Sequence, residues 1–229
     1  MAVIEGAVSL ALAGVGAESS SPLHVVSKPT PHGALGHYRV AATTGAITAG
    51  LAASAQLFYL RWTDATRFCV ITYFRAQFQT LTPFTAATLT DFGFDLHKAT
   101  AVSAGGAGTD LGASVKTRMR TGGMGASLLD ASGLMRISAN VTLTNITTLD
   151  VLPIAQSLGD AQRVNPAAGT EEQRVNDPTL IFAPDMARGE HPLVLAQNEG
   201  LVLRNRALWP VAGTGIVQVE IAWSEVDAY

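Results

Sequence analysis

The sequence predicts an all-β fold, a jelly-roll-like antiparallel β-sandwich with an extended N-terminal arm and long loops. Three observations carry this. Apolar and polar residues alternate with period two in run after run, the pattern of half-buried strands. No segment of helical length shows a convincing 3.6-residue period. Turn signals separate the runs, as at Thr44-Gly45, Asn198-Glu199-Gly200 and Ala212-Gly213-Thr214-Gly215. About nine strands without helices between them imply a sandwich or barrel whose sheets are wet on one side. The strand number and the long connections favour the jelly roll.

Along the chain, residues 1–35 break at Ser19-Ser20-Ser21-Pro22, Pro29 and Pro31 and read as an arm outside the sandwich, which spans 36–229. His37–Ala42 and Gln56–Trp62 are short strand candidates. From Phe68, one face carries Phe68, Val70, Phe74 and Phe78, and the other Cys69, Ile71, Tyr73 and Arg75. From Thr88, Phe92, Phe94 and Leu96 oppose Asp91, Asp95 and His97. Residues 98–133 are rich in Gly, Ala and Ser and read as a loop insertion. A cleaner strand follows, with Met135, Ile137, Ala139, Val141 and Leu143 against Arg136, Ser138, Asn140, Thr142 and Thr144. A second loop insertion occupies 153–177, punctuated by Pro153, Gly159, Pro166 and Gly169. Loops this long in a compact domain are functional or disordered, and a low-charge chain favours contact loops. Thr179–Phe182, Pro192–Ala196 and Leu201–Asn205 are further strands. In the last, Val217, Val219, Ile221 and Trp223 oppose Ile216, Gln218, Glu220 and Ser224. The expected core is Phe58, Leu60, Phe74, Phe92, Phe94, Val141, Val219, Ile221 and Trp223.

Composition narrows the function. The chain has 229 residues, of which 14% are charged and 48% hydrophobic. Ordinary soluble domains carry about 25% charged residues. A chain this apolar either belongs to a membrane or hides surface against other chains. The longest apolar stretch, Gly6–Ala17, lies between Glu5 and Glu18, shorter than the roughly 20 residues of a spanning helix. No Lys or Arg precedes Lys28, so the positive region of a signal peptide is missing. A net charge of −3 argues against nucleic-acid binding, which demands a basic surface. Cys69 is the one cysteine, which excludes an intramolecular disulfide and a cysteine-based metal site.

Catalytic signatures are missing. Gly105–Gly112 is not followed by Gly-Lys-Ser/Thr, and neither it nor Thr121–Ser127 completes a G-x-G-x-x-G motif. No G-x-S-x-G elbow occurs. Cys69 sits mid-strand, where a buried structural thiol is expected. His24, His32, His37, His97 and His191 are scattered. The Asp91, Asp95 and His97 column has oxygen ligands for a cation, but a solvated strand face is the expected reading. Glu171-Glu172 and Asp91/Asp95 carry no mark of the burial that acid/base work needs. Lys116, Arg118 and Arg120 alternate and are expected on a solvated strand edge, where they can also meet phosphate or an acidic partner. The sequons at Asn140 and Asn145 lack a secretory context and are read as chance. No cofactor is expected.

The segments Leu23-His24-Val25-Val26-Ser27-Lys28-Pro29, Gly33–Val40, Thr43–Leu51, Arg61–Arg67, Gly125–Leu129, Gly189–Leu195, Asn198–Gly200 and Ile216–Trp223 with Glu225 together resemble a family of tailed-bacteriophage virion structural proteins. The likeness covers nearly the whole chain and is least for residues 1–22. It lies in overall pattern and phrases, and the family has no catalytic motif to carry over. It implies a non-enzymatic component made in the host bacterial cytoplasm and located on the virion capsid surface. The expected role is head decoration (cement), stabilising the shell through the arm and loops. The rivals are a head–tail or tail-associated position, and a carbohydrate- or receptor-binding module with Trp209 and Trp62 as loop candidates, although Trp62 reads better as core. The expected partners are the major capsid protein and copies of the chain itself, a homotrimer matching the local threefold sites of a capsid, with no nucleic acid and no membrane. The residues expected to make contacts are Leu10, Leu12, Val15, Val25, Val26 and Lys28 in the arm, Arg118 and Arg120 on the basic run, and Trp209.

Overall fold

A computed structural model describes residues 36–229 except 49, 87–90, 103–106, 113–116, 119–124, 140–145, 162, 166–169, 173–177, 186–187, 211 and 228. All of them fall within the unit Pro31–Tyr229. Among the described residues of the chain, the regular elements are strands apart from short 3-10 turns. Its elements are β1 (Gly36–Thr43), β2 (Ile47–Thr48), β3 (Gln56–Arg61), β4 (Phe68–Thr82), β5 (Phe84–Thr85), β6 (Phe94–Val102), β7 (Thr109–Asp110), β8 (Thr117–Arg118), a 3-10 turn at Leu128–Asp130, β9 (Met135–Ile137), β10 (Ile146–Leu149), β11 (Ala155–Gln156), β12 (Arg163–Asn165), β13 (Thr170–Glu172), β14 (Thr179–Phe182), β15 (Leu193–Leu195), β16 (Gly200–Asn205) and β17 (Thr214–Val226).

These strands form an antiparallel β-sandwich. One sheet runs β14-β4-β17-β1-β8, with β15 also on β4 and β2 also on β17. The other runs β10-β6-β16-β3-β9-β7, with β11 also on β6. A small third sheet, β13-β12-β5, contains the parallel pair β12–β5. Alternation decides which residues fill the space between the two large sheets. On β17, Val217, Val219, Ile221 and Trp223 point inward beside Phe78, Ala76, Phe74 and Ile71 of β4. On the facing sheet, Phe58 and Leu60 sit beside Leu203 and Leu201, and Leu203 beside Leu96. The Phe58 and Phe74 rings meet across the sandwich at 5.7 Å. Tyr38 stacks on its cross-strand partner Trp223 at 5.6 Å. All the expected core residues within the described part are buried; Val141 lies outside it.

The faces of β4 differ from the expectation. Ala222 pairs with Tyr73 but Trp223 pairs with Ile71, which leaves Thr72 unpaired in the ladder. An extra residue of this kind inverts the alternation beyond it. Cys69 and Ile71 therefore join Phe74, Ala76 and Phe78 in the core, and Phe68 and Val70 fall on the outer face.

The other departures are local. The stretch 98–133 contains the end of β6, β7, β8 and the 3-10 turn, and 153–177 contains β11, β12 and β13. Strands of two or three residues are too short to carry a sequence period, so they read as loop. The expected strand from Met135 is β9, ending at Ile137, and its continuation over 140–145 lies outside the described residues. The second sheet is not wet throughout its outer face: Tyr59, Ala99, Val102 and Val202 are buried there with Leu149 against them, and the Tyr59 hydroxyl donates to the Gly133 carbonyl at 3.0 Å. Gly200 shows why backbone packing is tight at this point, since a Cβ there would collide with the Leu60 carbonyl oxygen and lie 2.7 Å from Val102 Cγ2.

Candidate functional site

The most distinctive surface lies along one edge of the sandwich, where β14 closes one sheet and β11 sits on the margin of the other. β11 and β14 are in contact. Val151 and Leu152 precede β11 and are 92% and 77% exposed; Leu158 follows it at 72%; Ile181, on β14, is 57% exposed. Main-chain bonds fix this segment: Asp150 N–H donates to Lys98 O, Ile154 N–H to Leu96 O, and Ser157 N–H to Phe94 O. The apolar side chains are thus held outward by an ordered backbone. Exposed apolar side chains held on an ordered backbone along one edge make that edge the candidate contact surface. Leu158 falls in the 153–177 insertion expected to make contacts, whereas Val151, Leu152 and Ile181 were not among the expected contact residues.

The second notable feature is a buried carboxylate, Glu225, only 2% exposed near the end of β17. Its Oε1 accepts hydrogen bonds from Ser127 Oγ at 2.6 Å, Leu128 N–H at 3.0 Å and Trp223 Nε1 at 3.2 Å. Ser127 also caps the 3-10 turn, accepting from Leu129 N–H at 3.0 Å. Glu225 therefore ties that turn to the sandwich, and Tyr38 adds a bond from its hydroxyl to Gly125 O at 3.1 Å. Burial pushes the Glu225 carboxyl above its ordinary 4.5, against the pull of its three donors. Its cross-strand neighbour Cys69 is buried, and burial, with the Glu225 charge, raises that thiol well above 9.0. A thiol kept protonated in this way is structural.

The expected sites fare differently. Asp91 and Asp95 both face Arg206, whose Nε lies 3.1 and 3.8 Å from their carboxylates. Asp91 Oδ1 also accepts the Gly93 N–H, and Asp95 Oδ1 accepts from Gln156. His97 is buried, its Nδ1 3.1 Å from Asp150 O. Asp91 precedes β6, Arg206 bridges the two carboxylates, and His97 is buried rather than on the expected solvated face. Among the described residues, no three His, Cys, Asp or Glu side chains gather as a metal site, and no helix is long and apolar enough to cross a membrane. Glu171 and Glu172 lie in β13, paired with Val164 and Arg163.

Trp209 corrects an expectation. It is fully buried, packed in an aromatic cluster with Phe78, Phe84 and Phe92 at ring separations of 5.2 to 6.0 Å. Its amide N–H donates to Leu51 O, which folds the loop back onto the sandwich. Trp62 is buried as well, with its Nε1 donating to Arg67 O at 2.8 Å. Neither tryptophan offers a face to a sugar. Arg118 lies in β8 at the end of its sheet, beside Tyr38 of β1. Leu10, Leu12, Val15, Val25, Val26, Lys28 and Arg120 lie outside the described residues, as do Lys116, Asn140 and Asn145.

Comparison with protein-family models, curated proteins and solved structures gives no match for the chain.

Proposed function

We propose that the protein is a structural component of a tailed-bacteriophage virion, a head decoration protein that binds and stabilises the capsid shell. The observation that carries a binding role is the apolar edge formed by Val151, Leu152, Leu158 and Ile181 in a chain with 14% charged residues. The assignment to a virion rests on the sequence phrases that resemble that family. The strand order supports the jelly-roll reading. The sequence of main strands β1, β3, β4, β6, β10 and β11, β14 and β15, β16, β17 yields β1-β17-β4-β14 in one sheet and β3-β16-β6-β10 in the other, the order two interleaved Greek keys produce.

In this reading the chain acts by contact and carries out no chemistry. Its partners are the major capsid protein and further copies of itself, arranged as a homotrimer on local threefold sites, since identical subunits close most simply by rotation. Quantitative mass spectrometry of purified particles from the phage that encodes the chain tests the proposal. A decoration protein is present in a copy number comparable to the capsid protein. A copy number of a few per particle supports a head–tail or tail position in its place, and absence from particles rejects the reading.

A further inference from the structure

We propose that β14 is the seam of a twofold contact, in which Thr179–Phe182 of two copies of this chain pair antiparallel and join their sheets into one. This rests on the reading of the apolar edge as a binding face and names its occupant.

The seam starts from the main chain. Among the described residues β14 ends its sheet and pairs with β4 only. Phe78 N–H donates to Pro178 O at 3.0 Å, and Leu180 and Phe182 stand opposite Ala76 and Phe74. The alternation of an antiparallel ladder therefore turns the N–H and C=O groups of Leu180 and Phe182 toward β4, and those of Thr179 and Ile181 outward. An outward row of this kind is a template for another strand. Natural sheets guard their edges with charged side chains or proline; between Pro178 and Pro184 this strand has neither.

A second copy meets the row in a register that leaves nothing over. With Leu180 opposite its own counterpart, Thr179 of each copy stands opposite Ile181 of the other. These are the residues whose main-chain groups point outward, so both donors and both acceptors of each copy are bonded. Pro178 then falls opposite Phe182 at a position that exchanges no hydrogen bond, and its missing N–H costs nothing. Thr179 and Ile181 are exposed on the outer face and form β-branched cross-strand pairs there.

The second layer follows. The twofold axis of such a pair stands perpendicular to the sheet, so the second sheets of both copies lie on the same side of it. β11 touches β14, and the exposed Val151, Leu152 and Leu158 that flank β11 are carried to the seam, where each copy's apolar margin meets the other's. An isologous contact needs a self-complementary patch of this kind. It occupies one edge and leaves threefold contacts to the rest of the surface.

Sedimentation velocity and crosslinking of the full-length protein test this. Ile181→Pro removes an outward N–H and leaves the amides that bond β4 in place, a substitution that an edge strand accepts. It is expected to keep the wild-type circular dichroism and to halve the wild-type mass, while Ile181→Val keeps both. For the crosslink, Ile181→Cys places thiols on diagonal positions across the seam, about 7–8 Å apart, within reach of a short bis-maleimide. Cys69 is buried and does not compete. Thr43→Cys, exposed on the same face of β1 and three strands from β14, is the control. The proposal expects covalent dimer from Ile181→Cys at roughly ten times the yield from Thr43→Cys, because thiols held at a seam react at high effective concentration. A wild type that sediments as a monomer or a trimer, a folded Ile181→Pro that keeps the wild-type mass, or equal yields from the two cysteines overturns the proposal. Should Ile181→Pro lose the wild-type spectrum, the crosslink decides. These measurements use no virions, so their failure is distinct from failure of the virion assignment, which particle composition decides.

Discussion

Replacing Trp223 with alanine probes the centre of the sandwich. The side chain is fully buried, stacks on Tyr38 and lies beside Ile71 at the point where the β4 bulge inverts the strand faces. Truncation of a buried Trp costs about 3–5 kcal/mol in transfer and cavity terms. The lost ring stack belongs to that range at about 0.5–1.5 kcal/mol. Removal of Nε1 also takes one of the donors from the Glu225 carboxylate, so the expected loss sits at the upper end, about 4–5 kcal/mol. Trp223→Phe keeps the ring and removes the donor, at about 1.5–3 kcal/mol for a bond to a charged group. Urea denaturation followed by tryptophan fluorescence and far-ultraviolet circular dichroism reads both. With a slope of about 3 kcal/mol per molar, the alanine variant should unfold roughly 1.3–1.7 M earlier. A loss below about 1 kcal/mol would mean that Trp223 does not face the core and that the pairing of β17 with β4 is misread.

Glu225→Gln should change how stability depends on pH. The folded carboxyl titrates above 4.5 because of burial, so the folded state holds its proton more tightly than the unfolded chain does. That contribution is complete below pH 4.5 and is lost as pH rises through the folded value. Relative to Glu225→Gln, the wild type should therefore lose stability as pH increases, in denaturation curves taken from pH 4 to 8; a relative gain would reverse the assigned direction. Gly200→Ala should destabilise by about 1–3 kcal/mol through overpacking against the Leu60 carbonyl and Val102, and an unchanged melting temperature would refute that contact. Leu152→Asp, on an exposed side chain, should alter stability by no more than about 0.5 kcal/mol while reducing binding to undecorated heads in a co-sedimentation assay; equal binding would remove the edge from the contact surface.

The legible part of the fold was the part written in period two. Thr179–Phe182 forms a strand with those bounds, and Val217, Val219, Ile221 and Trp223 face the core because alternation across a half-buried sheet leaves little choice. The Thr72 bulge was illegible, since it exists only in the register between β4 and a strand far along the chain. β7, β11 and β12 were hidden by their shortness. Trp209 sits between Leu208 and Pro210 in sequence and looks like a loop residue, and its burial depends on contacts with Phe78, Phe84 and Phe92 from distant segments. The converse holds at the candidate surface. Leu158 lies in the 153–177 insertion read as a contact loop, but nothing in the sequence marks Val151 and Leu152 as exposed until β11 is placed at a sheet margin. Glu225 carried no signal of burial either, because its donors come from the turn at Ser127.

In the proposed function the sandwich binds a capsid lattice through its apolar edge. Immunogold electron microscopy of intact particles, using antibody against the folded domain, tests it most directly. Label spread evenly over the heads is the predicted result. Label confined to the tail or the head–tail junction, or particles left unlabelled, would contradict it.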